Sequence, residues 1–187
     1  MSVEYIKGNL LDFPNNSNVI AHCVSSLQVS MGAGVAKSIK EECPAALEAY
    51  QKAFDTGQCI LGTFSVAEVA GGKRVVNLVT QERLGTDHRQ VDYEALYTAL
   101  NTLKRSLEYA RDQGRIYRLA IPWLSCGLAG GSQKVVGAMI EDIFGPSPIV
   151  CTVVGYLKPP KATFPTDEDS GKTAADSSVE QQSDSSS

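Results

Sequence analysis

The chain alternates short apolar runs, rich in β-branched residues, with longer stretches whose apolar residues return every three or four positions. Runs of the first kind suit strands buried on both faces, and the second kind suits helices lying on a sheet. Val3-Glu4-Tyr5-Ile6 and Val19-Ile20-Ala21-His22-Cys23 are the first two runs, bounded by Lys7-Gly8-Asn9 and Pro14-Asn15-Asn16, and both predict strands. Residues 34–42 predict a short helix. Cys43-Pro44 opens a second helix, with proline at a first position where its missing N–H costs nothing, apolar residues at Ala46, Leu47, Tyr50 and Phe54, and Gly57 as its stop.

Residues 60–69 and 74–80 predict adjacent strands joined through Gly71-Gly72. Residues 92–113 carry the longest helical pattern: Leu96, Ala99, Leu100, Leu103, Leu107 and Ala110 share one face, and Gly114 suits a left-handed cap. Residues 117–121 predict a strand stopped by Pro122. Ser132 is the expected N-cap of a helix running through Val136, Ile140 and Ile143 to Gly145, and residues 149–156 predict the last strand. The order β-β-α-α-β-β-α-β-α-β implies an α/β fold, with a central, mostly parallel sheet covered by helices on both faces.

The pattern ends at Lys158. From there the chain is mainly Pro, Ser, Asp, Thr and Gln, too poor in bulky apolar residues to offset the entropy of ordering, so residues 158–187 are expected to be a disordered, acidic, serine-rich tail on a domain of residues 1–157. The length of 187 residues with 43% apolar content fits one such domain. Most of the formal charge of -4 belongs to the tail, where three lysines face six acids. The body shows no clustered Lys and Arg, which argues against a polymeric nucleic acid as ligand.

Five cysteines, odd in number and widely spaced, together with two histidines give neither a disulfide framework nor a metal site, and no bound metal or cofactor is expected. The amino terminus lacks the layout of a signal peptide and no apolar run is long enough to span a membrane, so a monomeric, cytoplasmic or nuclear protein is the expectation.

Two turns carry the chemistry. His22-Cys23-Val24-Ser25-Ser26 leads through Leu27 to Ser30 into Met31-Gly32-Ala33-Gly34-Val35-Ala36, and Pro122-Trp123-Leu124 leads into Ser125-Cys126-Gly127-Leu128-Ala129-Gly130-Gly131, each just before a helix. Small residues there let backbone N–H groups approach a phosphate, and the helix dipole adds attraction. Each alone is a weak signal. Together, at comparable places in an alternating α/β chain, they point to a diphosphate gripped from two sides. A dinucleotide fold of the other common type would need its glycine fingerprint after the first strand, where Lys7-Gly8-Asn9-Leu10-Leu11-Asp12 stands instead.

The strings Tyr5-Ile6-Lys7-Gly8-Asn9-Leu10, Ile20-Ala21-His22-Cys23-Val24-Ser25, Met31-Gly32-Ala33-Gly34-Val35-Ala36 and Ser125-Cys126-Gly127-Leu128, in this order over residues 3–157, resemble the macro domain. The likeness is to its small single-domain branch, which holds terminal ADP-ribose protein glycohydrolase and the yeast-type ADP-ribose 1''-phosphate phosphatase. The resemblance implies a three-layer α/β/α domain with a mixed, mostly parallel sheet and a site for ADP-ribose or a 1''-substituted derivative, ADP-ribosylated proteins included. Asn9 and Leu10 would meet the adenine, with the Asn9 amide oxygen where many relatives carry an aspartate. The strand end from Ile20 through Ala21 to His22 would lie along the adenosine half, and Ser25 is a further ligand-binding position. Met31, Gly32, Ala33, Gly34 and Val35 would contact the diphosphate and distal ribose, and Ser125, Cys126, Gly127, Leu128 and Ala129 would close over the diphosphate.

The catalytic residues do not carry over. In the glycohydrolase a lysine follows the Leu-Ile-Thr of the fourth strand and an aspartate follows Gly-Cys-Gly-Leu; here Gln81 follows Leu78-Val79-Thr80 and Ala129 follows Cys126-Gly127-Leu128. An amide forms no Schiff base and a methyl relays no proton. His22 and Asp87 are the remaining candidates for acid–base work, each set against a structural role. Cys126 beside a helix start is a further thiol candidate, set against a small residue chosen for space, and Tyr93 and Trp123 could stack on the ligand or simply pack. The expected activity is hydrolysis at the 1'' position by a water that the substrate diphosphate and backbone groups orient. The alternative is a non-catalytic ADP-ribose reader, and a weaker third reading is a domain for another nucleotide.

Overall fold

A computed structural model describes residues 2–155 of the chain. The order of elements is β1 (Val3–Ile6), β2 (Val19–Ser25), α1 (Gly34–Glu42), α2 (Pro44–Asp55), β3 (Phe64–Val69), β4 (Lys73–Gln81), α3 (Tyr93–Asp112), β5 (Arg118–Pro122), α4 (Gln133–Phe144) and β6 (Val150–Val154). They form a six-stranded sheet in the order β1-β6-β5-β2-β4-β3. Only β3 runs against its neighbour, so the sheet is mixed and mostly parallel, as the alternating pattern implied.

Alternation along the central strands divides the core into two layers. Val19, Ala21, Val76, Leu78, Leu119 and Ile121 face α3 and α4, where Leu96, Leu100, Leu103, Ile140 and Phe144 complete a buried cluster. Ile20, Val24, Val75 and Val79 face α1 and α2, meeting Ile39, Ala46 and Tyr50. Each large apolar side chain enclosed in these layers contributes ~1.5–3 kcal/mol relative to exposure.

Local signals account for most boundaries. Asp92 caps α3 by accepting from Ala95 N at 2.9 Å, and Gly114 beyond its end adopts φ +80°. Gly71 and Gly72 turn the β3–β4 connection at φ +74° and +69°. One strand starts later than expected. Residues 60–63 form a turn instead of the first part of β3, because Thr63 Oγ1 donates to the Ile60 carbonyl at 2.6 Å and Gly62 adopts φ +85°. Ser132 occupies the N-cap position of α4, but its side chain makes no capping bond. The expected acidic tail, residues 158–187, and Tyr156 at the end of the last predicted strand lie outside the described residues.

Candidate functional site

The two glycine-rich turns lie at the carboxyl ends of β2 and β5, which are neighbours in the sheet. These strands pair only at Val19 with Leu119 and at Ile20 with Ala120. Beyond that level β2 continues along β4 as far as Ser25 opposite Gln81, while β5 continues along β6 as far as Pro122 opposite Val154. The chain then leaves β2 for α1 on one face and leaves β5 for α4 on the other. Adjacent parallel strands whose following helices part to opposite faces leave a crevice at their carboxyl ends, the usual place for a ligand in such sheets.

The first turn is anchored deep and open at its tip. Tyr50 of α2, fully enclosed, donates from its hydroxyl to the carbonyls of Ser25 at 2.5 Å and Gln28 at 2.9 Å. Ser25 Oγ donates to the Glu82 carbonyl and accepts from Leu27 N and Gln28 N, each at 3.2 Å, so its side chain is spent on the loop. Met31 inserts into the core between α1 and the sheet at 1% exposure. Gly32, Ala33, Gly34 and Val35 are exposed, and Gly34 holds φ +55°. Among the described residues the backbone N–H groups of Gly32, Ala33, Gly34 and Val35 meet no acceptor. An N–H donor of this kind at a helix start is what an anionic oxygen satisfies.

The second turn is built similarly. Ser125 adopts φ +55° and its carbonyl accepts from Gly131 N at 2.8 Å, while Gly127 O accepts from Gly130 N at 3.0 Å. The closure is tight: a β-carbon at Gly131 would lie 2.7 Å from Ser125 O. The N–H groups of Gly127, Leu128 and Ala129 have no acceptor among the described residues. Cys126 is half-buried, and burial pushes its thiol up to about 11, with Cys23 nearby adding to the effect, so it is a protonated thiol near neutral pH.

Residues 82–92 join the two turns. Leu27 N donates to the Glu82 carbonyl at 3.1 Å and Leu84 N donates to Gln28 Oε1 at 2.7 Å on the first side. On the second, the Ala129 carbonyl accepts from Gln90 N and Val91 N at 3.0 and 3.2 Å. An open cleft of about 720 Å³ lies along this loop, lined by Glu82, Arg83, Arg89, Gln90, Asp92 and Tyr93 among others. Tyr93 carries the Arg89 guanidinium 4.8 Å above its ring and accepts from Ser132 N at 2.8 Å, tying the start of α3 to that of α4. Trp123 stacks on Tyr5 at 5.7 Å. Nothing in the sequence pattern marks this bridging, because its bonds are to backbone groups far along the chain.

The remaining candidates divide. Asn9 is exposed beyond β1; its Oδ1 accepts from Leu11 N at 3.1 Å and its amide donates to Asp12 Oδ1 at 3.2 Å, while Leu10 is buried. Ala21 is fully buried and faces α3 and α4. His22 points to the opposite layer, 2% exposed, with Nε2 2.7 Å from Asn77 Oδ1; burial drops its pKa to about 4 although the Asn77 bond pulls the other way. Asn77 in turn donates to the Ala46 carbonyl at 2.9 Å. Asp87 is exposed and pairs with His88 Nδ1 at 2.9 Å. Gln81 is buried, its amide donating to the Arg83 carbonyl at 2.8 Å, and Glu82 points out to solvent.

Comparison with known proteins fits this geometry. The model of the Macro domain family matches residues 25–140. Human ADP-ribose glycohydrolase OARD1 is 29% identical over 152 residues, covering 81% of this chain and 90% of that protein. Among solved structures, the macrodomain of Mycobacterium tuberculosis DarG superposes with a TM-score of 0.69 at 20% identity, covering 83% of this chain and 98% of the other. Thermosipho africanus DarTG in complex with ADP-ribose superposes at 0.70 and 16% identity, over 84% of this chain and 42% of that one.

Proposed function

Because the chain belongs to the macro domain family, we propose that it binds ADP-ribose with the diphosphate held between the turn after β2 and the turn after β5. One observation carries the reading: two turns with unpaired N–H groups leave the carboxyl ends of two neighbouring parallel strands that pair at only two positions and then separate. Fixed backbone donors and two helix starts attract an anion even where no basic side chain touches it. The ligand direction follows from the sheet order. Asn9 follows β1 at one edge and residues 82–92 follow β4 toward the other, so an adenine near Asn9 sends the distal ribose toward the 82–92 loop. Asn9 Oδ1 already holds Leu11 N, but a carbonyl oxygen has a second lone pair for an adenine amino group.

Among the described candidates for the 1'' end, exposed Asp87 is paired with His88 and the others offer no free nucleophile in this reading. Gln81 is tied to Arg83, Ala129 offers a methyl and its own carbonyl is occupied, His22 is enclosed, and Cys126 is protonated. Binding without covalent chemistry is therefore the function best supported. Turnover is the second reading, favoured by the likeness to a protein named ADP-ribose glycohydrolase over 90% of its length. It would use a water oriented by the substrate diphosphate and turn N–H groups to release a phosphate, an acyl group or a protein from the 1'' position.

Calorimetry with ADP-ribose tests the binding reading. The native chain gives a saturable heat, and Gly34→Glu, which places a carboxylate at the first turn, weakens it at least about tenfold. Gly71→Glu is the matched control, since Gly71 also holds a positive φ with open space around it but lies in the β3–β4 turn at the far end of the sheet. Equal heats for the native chain and Gly34→Glu rule out the site as drawn. Incubation with ADP-ribose 1''-phosphate, O-acetyl-ADP-ribose and glutamate-linked ADP-ribosyl protein tests the second reading, which fails if none turns over above buffer.

A further inference from the structure

Beyond Gly155 the chain continues for 32 residues that hold Asp167, Glu168, Asp169, Asp176, Glu180 and Asp184 against Lys158, Lys161 and Lys172. The point of departure is the crevice itself. Val154 lies level with Pro122, the last residue of β5 before the second turn. Gly155 packs so closely on Trp123 that a β-carbon there would sit 2.5 Å from Trp123 Cδ1, and the Trp123 carbonyl accepts from Cys126 N at 3.1 Å. The last described residue, Gly155, therefore lies against the strand end that leads into the turn whose N–H groups of Gly127, Leu128 and Ala129 are unpaired. Arg83 and Arg89, on the loop bridging the two turns, make no ion pair with a described carboxylate and share that loop with Glu82, Asp92 and Asp87, the last paired with His88.

We propose that the mouth of the crevice is a docking surface for this chain's own acidic segment, residues 167–184, which competes there with ADP-ribose. The competition rests on the ADP-ribose reading above; the docking rests on where the described chain ends and on unpaired N–H groups that a carboxylate can satisfy. Reach is not limiting: Asp167 lies twelve residues past Gly155, and twelve residues span at most about 40 Å. Tethering at this distance gives an effective concentration in the millimolar range, so carboxylates that bind the turns weakly still occupy them part of the time. ADP-ribose brings two phosphates and displaces them. The segment thereby sets a threshold on ligand concentration and leaves the bound state unaltered.

The test uses the full chain and a full-length variant in which the six acids are replaced by amides (Asp167→Asn, Glu168→Gln, Asp169→Asn, Asp176→Asn, Glu180→Gln, Asp184→Asn). At low salt the variant binds ADP-ribose about threefold or more tightly than the native chain, and the difference closes at about 0.5 M salt, where such charges are screened within a few ångströms. Identical dissociation constants at low salt overturn the competition. Trp123, the sole tryptophan, gives a second readout that needs no ligand. Its emission in the native chain changes as salt is raised and that of the variant does not; identical salt profiles overturn the docking. Heat from neither chain, with the emission difference present, sinks the ADP-ribose reading and supports the docking alone.

Discussion

His22 and Asn77 face each other across β2 and β4 in the layer under α1 and α2, where Asn77 also holds the Ala46 carbonyl. A neutral imidazole fits this enclosure and a charged one does not, so the folded-state pKa falls from the ordinary 6.5 to about 4. The unfolded chain therefore binds the proton first. Stability from this pair is fully present above pH 6.5 and is lost as pH falls toward 4, by up to about 3 kcal/mol. Urea denaturation checks it: between pH 7 and pH 5 the native chain loses stability that His22→Gln, lacking a titrating group, retains. Parallel losses in the two chains would show that other groups cause the fall. The strand holding His22 could be read from the sequence, but its role could not, because its partner lies 55 residues away on another strand. The glycines of both turns were legible for the opposite reason, since their purpose is local.

Among the elements, the second turn illustrates how one backbone closure sets a site. Gly131 has no room for a methyl against the Ser125 carbonyl that its own N–H is bonded to, while a β-carbon at Gly127 meets nothing within 4 Å. Gly131→Ala is expected to cost ~1–3 kcal/mol by forcing the turn open, and to weaken ADP-ribose binding further. Gly127→Ala leaves the melting temperature within the ordinary scatter of surface substitutions. Thermal melts of the two variants separate these outcomes, and equal melting temperatures would contradict the closure described. Strand and helix periodicity located every element. It misplaced the start of β3, because Thr63 and Gly62 divert residues 60–63 into a turn although their apolar character suits a strand. It also missed the part played by residues 82–92, whose hydrogen bonds to Gln28 and Ala129 depend on two distant turns meeting.

For the whole molecule, the sheet order decides where function sits. Alternating elements implied a layered α/β domain, but no pattern in the chain states that β2 and β5 are neighbours, or that they part after two paired positions. That arrangement brings turns nearly a hundred residues apart, each with unpaired N–H groups, to the same end of two neighbouring strands. The family likeness in the strings around both turns extends to the fold. The most direct test of the account is a crystal structure of the full chain with ADP-ribose. The account requires diphosphate oxygens within about 3 Å of N–H groups on both residues 32–35 and residues 127–129, with the distal ribose toward residues 82–92. A ligand seated elsewhere, or touching one turn alone, would contradict it.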